Sequence, residues 1–300
     1  MSGSEPVVIS SASNDRYCIG LAVALVSALE NCRGWVDAPV SIVVLDGGIR
    51  PRNWRRLQQS LDSTNVPYRL SRFKPDLKLF EGFPTDYGAT YLTYARLFLP
   101  KLLPDVRRIL YIDSDLLIMD SLESIWATEL GGNPLAAAVC AHVKKIGRES
   151  LPIKELGLSP EAPYLQAGFL LIDLDAWREM SLSEKCLEYL RRFPDKAPHW
   201  DQTALNAVIG TNWTRLPDEW NVPAAHLETE PKQWRGSKPA VLHYSGRDKP
   251  WSYGNHTWKI AQPFFLALDR TAWRHWRPSK LRALLKFWKW KLQTSLRAKK

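Results

Sequence analysis

Two aspartates one residue apart, Asp113 and Asp115, interrupt the apolar stretch ILYIDSDLLIM at residues 109–119. In extended backbone, residues i and i+2 point to the same side. Both carboxylates are therefore expected to converge on one point, with Leu110, Ile112 and residues 116–118 buried around them. Paired carboxylates at the end of a buried strand are costly unless something positive joins them. A divalent cation carrying a phosphate meets that need, because hard cations take oxygen ligands from a few acids plus substrate oxygens. The pattern points to metal-assisted chemistry on a phosphorylated substrate. A second Asp-x-Asp, Asp173 and Asp175, follows FLLI and precedes Ala176-Trp177-Arg178, where a helix can begin. There the expected role is a helix cap.

Four other segments carry polar groups where plain packing does not ask for them. Gln166 precedes AGFLLIDLDAW; Asp201 and Gln202 open an apolar helical stretch; LPDEWNVP is a turn-rich aromatic segment. VLHYSGRDKPW spaces His243, Gly246 and Lys249 three residues apart. An imidazole completes a metal site, a glycine admits phosphate close to backbone, and a lysine balances its charge.

The elements that must position these groups alternate. Strands are expected at residues 7–10, 40–45 and 109–111, and helices at 19–31, 52–61 and 94–103. This order predicts an α/β fold with a mostly parallel sheet and helices on both faces. Ligands bind such sheets beyond the carboxyl ends of the strands, where residues 11–17, 46–48 and 113–115 would meet. Residues 141–163, with Gly147, Pro152, Gly157 and Pro160, suit an irregular excursion over the site.

Composition is ordinary for a globular chain of 300 residues, at 45% hydrophobic and 24% charged. Four scattered cysteines without metal-ligand spacing argue against zinc and for a reducing, cytoplasmic setting. Neither a signal peptide nor an apolar run of spanning length is apparent. The net charge of +10 is concentrated: residues 271–300 hold ten Lys/Arg and no Asp/Glu, leaving 31 basic against 31 acidic in the rest. A neutral body argues against nucleic acid as a partner. From residue 278 on, Leu281, Leu284, Leu285, Trp288 and Leu292 fall on one helical face beside Arg282, Lys286, Lys289 and Arg297. A basic amphipathic helix of this kind suits attachment to an anionic membrane surface.

The ordered segments SASNDRY, SIVVLDGGI, TYARLFLPKLLP, LYIDSDLLI, QAGFLLIDLDAW, DQTALN, LPDEWN and HYSGRDKPW resemble the family 8 retaining glycosyltransferases, which include glycogenin and the bacterial lipooligosaccharide galactosyltransferases. The resemblance spans residues 7–251. It implies a GT-A fold, a Rossmann-like mixed sheet over residues 1–260, with 261–300 as a helical, Trp-rich basic tail. It further implies Mn2+ or Mg2+ on Asp113, Asp115 and His243, and UDP-galactose or UDP-glucose as donor. Ser13, Asn14, Arg16 and Tyr17 would lie near uracil and ribose. Arg96, Asp113, Ser114 and Gln166 would approach the nucleotide sugar, and Gly246 and Lys249 the diphosphate. Asp201 and Gln202 would stand near the anomeric carbon. The chain departs from the family pattern at Asn14, where an Asp is usual, and at Gln166, where an Asn is usual. The acceptor this implies is a saccharide on a lipid-linked lipooligosaccharide core; alternatives are a polyol, glycan or protein acceptor, or a silent membrane-binding module. A nucleotide-sugar pyrophosphorylase would need a Gly-rich basic loop after the first strand, which SSASNDRY lacks.

Overall fold

The computed structural model describes residues 5–85, 90–229, 238–246, 249–253, 259–281 and 284. In chain order these form β1 (Val8–Ser13), α1 (Cys18–Glu30), β2 (Val40–Asp46), α2 (Pro51–Asp62), β3 (Tyr68–Phe73), α3 (Leu99–Leu102), β4 (Arg108–Ile112), β5 (Leu116–Ile118), α4 (Glu123–Trp126) and β6 (Leu135–Val139). There follow β7 (Leu165–Asp173), α5 (Leu174–Glu179), α6 (Leu182–Arg192), α7 (Trp200–Ile209), β8 (Thr214–Arg215), β9 (Val222–Pro223), α8 (Ala224–Thr229), β10 (Val241–His243) and α9 (Gln262–Leu268).

The main sheet runs β3-β2-β1-β4-β7-β6-β8. Its first four strands are parallel, β7 is antiparallel to both β4 and β6, and β8 is parallel to β6. A small sheet, β5-β10-β9, stands beside it. The expected mostly parallel α/β sheet is therefore present, with an antiparallel insertion. That insertion matters: because β7 runs against β4, its beginning lies at the edge where β1, β2 and β4 end.

Helix α1, CIGLAVALVSALE, is apolar all round, and such a helix must be covered on every side; every residue from Cys18 to Leu29 is buried. By contrast α2, opened by Pro51 in its first turn, buries only Leu57, Ser60 and Leu61. Asp173 caps α5, accepting from the backbone N–H of Asp175 and of Ala176 at 3.0 Å each, as its sequence context suggests.

Two local expectations are corrected. Residues 94–103 are not one α-helix: a 3-10 helix runs Tyr91–Phe98 and hands over to the short α3. Pro100 lacks an N–H and would clash with the carbonyl of Arg96 in a continuous helix. The 3-10 winding also stacks Thr93 directly under Arg96. Second, Asp113 and Asp115 do not share an extended strand. β4 ends at Ile112, and residues 113–115 turn the chain from the main sheet into β5 of the small one.

At the C-terminal end, residues 262–277 pack on α1 and α2. Arg270 pairs with Glu30 at 2.8 Å, and the Arg56 guanidinium sits 4.5 Å over the buried Trp273 ring. The amphipathic helix expected from residue 278 lies, apart from Leu281, Leu284 and the residues before them, outside the described residues.

Candidate active site

A cavity of about 850 Å3 opens at the carboxyl ends of β1 and β4. Three pieces of chain converge there for reasons visible in the register. Ile112 pairs with Phe169, which sets Asp113 beside Gly168, and the Asp113 N–H donates to the Gly168 carbonyl at 2.7 Å. His243 pairs with Leu116 across the small sheet, which brings the imidazole over the aspartate turn.

One ligand atom from each of Asp113, Asp115 and His243 lies within 4.8 Å of the others. His243 Nε2 stands 3.3 Å from Asp115 Oδ1 and 3.9 Å from Asp113 Oδ2. Its Nδ1 lies 2.9 Å from Asn221 Oδ1, and the Asn221 amide donates in turn to Gln166 Oε1. Cations flank the cluster. Lys249 Nζ bonds Asp115 Oδ2 and, at 2.7 Å, the Tyr244 carbonyl. Arg96 is almost wholly enclosed: it reaches Asp113 Oδ1 at 2.9 Å, Asp201 Oδ2 at 2.8 Å and the Ala167 carbonyl, with its guanidinium 4.2 Å over the Tyr111 ring.

These surroundings divide the acids. Burial alone would raise the Asp115 carboxyl, but Lys249 and His243 outweigh it and hold Asp115 far below the usual carboxylate range. For Asp113, burial outweighs Arg96, with Asp115 pushing the same way, and the carboxyl is raised. Asp201 is raised by burial too, despite Arg96. Its Oδ1 takes a short hydrogen bond from Thr93, whereas Oδ2 accepts no well-aligned donor, since Arg96 Nε approaches closely but off axis.

Two carboxylates and an imidazole lone pair form a donor set for Mn2+ or Mg2+. The backbone leaves room for an ion: a Cβ at Gly168 would come 2.5 Å from His243 Cε1 and 2.9 Å from Asp113 Oδ2. The residues present fit such a cation.

The other residues singled out in the sequence also line the cavity: Ser13, Asn14, Arg16, Tyr17, Ser114, Gln166, Asp201, Gln202 and Gly246. Several are already engaged. Asn14 Oδ1 accepts from the backbone of Arg16 and Tyr17 at 3.0 and 3.2 Å, shaping the turn into α1. Gln202 Oε1 accepts from Ala167 N at 3.0 Å. Gln166 lies inside β7 rather than before it, its Oε1 taking the Gly168 N–H. Gly246 has φ +82°, a conformation that favours glycine. Tyr17 packs edge-on against Trp251, with Lys249 Nζ 5.7 Å from its ring.

Sequence reasoning missed Asn221, Thr93 and Gly168. A glycine within an otherwise apolar strand was the available sign for Gly168; Thr93 stands three residues before Arg96; Asn221 ends the LPDEWN segment, which was noted as a whole with no role given to its asparagine.

A family model described as "Glycosyl transferase family 8" matches residues 8–255. The chain is 27% identical over 280 residues to General stress protein A of Bacillus subtilis (strain 168), covering 88% of this chain and 94% of that protein. It is 26% identical over 211 residues to the lipopolysaccharide 1,3-galactosyltransferase of Salmonella typhimurium (strain LT2), covering 67% and 60% respectively. Against glycosyltransferase GlyF of Streptococcus pneumoniae the identity is 26% over 245 residues, 80% of this chain and 56% of GlyF. The chain thus spans less than two thirds of those last two relatives. The galactosyltransferase LgtC, solved in complex with donor and acceptor sugar analogs, superposes with a TM-score of 0.73 at 26% identity, covering 92% of this chain and 99% of that one. The shared architecture is the GT-A fold. Among the described residues, no helix is long and apolar enough to cross a membrane.

Proposed function

The chain belongs to glycosyl transferase family 8, and from that premise we propose that it moves galactose or glucose from a UDP-sugar to a saccharide acceptor, with retention of configuration. Asp113, Asp115 and His243 would hold Mn2+ or Mg2+. The observation that carries this reading is the approach of those three side chains to one point beside Lys249, in a cavity large enough for a nucleotide sugar.

The ion, when bound, supplies positive charge toward the diphosphate. The chain's own residues do the rest. Lys249 turns from Asp115 to the departing phosphate, and the Gly246 backbone admits that phosphate closely. Ser13, Asn14, Arg16 and Tyr17 flank the uridine, Ser114 lies beside it on the aspartate turn, and Gln166 and Asp201 face the sugar. Arg96 keeps Asp113 and Asp201 at a fixed separation. Gln202 is a neutral amide whose oxygen already accepts from Ala167, which makes it a poor nucleophile. That favours a same-face route: the anomeric C–O bond to phosphate breaks, the bond to the acceptor oxygen forms, and the acceptor proton passes to the departing phosphate oxygen.

The acceptor fits a lipid-linked saccharide such as a lipooligosaccharide core, with the protein cytoplasmic and held at the inner face of the membrane by residues 278–300. Likeness to a lipopolysaccharide galactosyltransferase supports this. The rival has an observation of its own: residues 262–277 pack on the body. If the tail continues that way, the acceptor is a soluble polyol, glycan or protein.

UDP release from a panel of UDP-sugars, with Mn2+ and with chelator, tests the proposal. Metal-dependent release from a hexose donor supports it. Failure to release or bind UDP with any donor overturns it.

A further inference from the structure

Two histidines face each other outside the aspartate cluster. His142 lies in the segment after β6 and His226 in α8, 84 positions apart, yet His142 Nδ1 is 2.9 Å from His226 Nε2. Their ring centroids are 4.2 Å apart with planes at 77°. Neither belongs to the Asp113–Asp115–His243 group. His142 lines the cavity, as do Pro223, Ala224 and Ala225 just before His226.

At this distance two neutral imidazoles share one proton in a hydrogen bond. The separation is equally that of two nitrogen ligands on one ion: with metal–nitrogen bonds of about 2.0–2.1 Å, ligands at right angles lie about 2.9 Å apart. We propose that His142 and His226 form a second metal site, of nitrogen-donor chemistry, which takes Cu2+ or Ni2+ and pins the segment after β6 to α8 across the cavity. On ligation both facing nitrogens present lone pairs, and the proton of the donating ring passes through solvent to its other nitrogen. Neither ring changes its net charge. Water fills the remaining coordination positions. Donor type separates this site from the carboxylate-rich one, which suits oxygen-preferring ions.

The test uses the full chain with saturating Mg2+ to occupy the carboxylate site, and Cu2+ as the probe. Electron paramagnetic resonance is expected to show one Cu2+ with two equatorial nitrogens. His142→Gln and His226→Gln should each lose the two-nitrogen pattern and weaken calorimetric affinity at least about tenfold, the lower end of what losing mere outer-shell support costs. His243→Gln should retain the pattern. Thermal melts of both glutamine variants matching the unmodified chain confirm that the fold is kept. Two nitrogens persisting in either glutamine variant, their loss in His243→Gln, or no bound Cu2+ would each overturn the site.

Discussion

Asn221 Oδ1 lies 2.9 Å from His243 Nδ1, and this contact decides which imidazole nitrogen faces the carboxylates. The Asn221 Nδ2 group donates to Gln166 Oε1, so Oδ1 is the accepting atom and His243 Nδ1 carries the proton. That leaves Nε2, 3.3 Å from Asp115 Oδ1, as the nitrogen that a cation on the aspartates would meet. Asn221→Ala should weaken Mn2+ binding by about 10–100-fold while leaving the fold intact. Asn221→Asp, which keeps the acceptor, should recover much of that loss. Mn2+ titration followed by paramagnetic resonance checks both, and equal affinity in all three proteins would refute the orienting role.

Asp115→Asn should abolish UDP release, since on the proposed reading it removes a metal ligand. Relief of carboxylate repulsion, taken alone, would leave stability little changed. The buried Lys249 ammonium alters that expectation, because it pairs directly with Asp115 Oδ2. Breaking a buried pair from one side strands the other charge, here by about 3 kcal/mol given the adjoining cavity. Asp115→Asn/Lys249→Met should regain stability but not turnover. Urea unfolding of the single and double variants decides it: equal stability of Asp115→Asn and the unmodified chain would mean the ammonium is sufficiently satisfied without Asp115.

Arg96→Lys preserves charge but not reach. Burial works against the Arg96 cation, yet Asp201, Tyr111 and Asp113 together raise its pKa, so it stays charged. One ammonium cannot span Asp113, Asp201 and the Ala167 carbonyl as the guanidinium does. Turnover should fall by about 100-fold, the scale of an ångström-sized misplacement. Steady-state rates would settle it, and a loss of less than threefold would remove Arg96 from any positioning role.

Asp269 offers a pH test away from the cavity. Arg277 binds it with two nitrogens, at 2.6 and 2.9 Å, and with the His275 N–H holds its carboxyl at about 2, below the ordinary 3.8. A carboxyl depressed by folding stabilises above its unfolded value and loses that contribution as pH falls through its folded one. Asp269→Asn should therefore lower the Tm by about 1–2 °C near neutrality. The gap should close between pH 4 and 2. A gap independent of pH would assign the effect to packing.

Truncation after Pro278 should release the protein from anionic liposomes while sparing UDP release. Each nearby Lys or Arg contributes about 1 kcal/mol at such a surface, and the attraction weakens with salt. Unchanged pelleting of the truncated chain would favour the packed-tail reading.

Sequence pattern reached the chemistry-bearing groups further than it reached their partners. Asp113, Asp115 and His243 were legible because they stand at or just past the end of an apolar run that must be a buried strand, and Lys249 through its spacing from His243 and Gly246. Their pairing was not: whether Lys249 meets Asp115 or Arg96 meets Asp201 depends on β7 running antiparallel to β4 and on β10 crossing to β5. The role of Asn221 was hidden for the same reason: its segment, LPDEWN, stood out, but its contact with His243 comes from the small sheet. Pro100 stood in view in the sequence, yet its effect on the preceding turns emerged only with the 3-10 winding that aligns Thr93 and Arg96.

Gly20 fixes how the two sides of the cavity differ. A Cβ on this residue of α1 would run into the Ser114 carbonyl and come 2.6 Å from Trp251 Cη2. The most buried helix thus bears directly on the aspartate turn, a gauge block that holds one wall to a set dimension. On the facing side Ala141, His142 and Val143 line the cavity and open an excursion to residue 163 that holds one short 3-10 turn, Ile146–Arg148, and is tied by loop hydrogen bonds such as Ile146 N–H to the Ala162 carbonyl rather than by a long helix or strand. Insertions there leave the turn at Ser114 untouched, whereas a single methyl at position 20 would not. Divergence of this chain should accordingly run at two tempos, fast over the excursion and nearly still along α1.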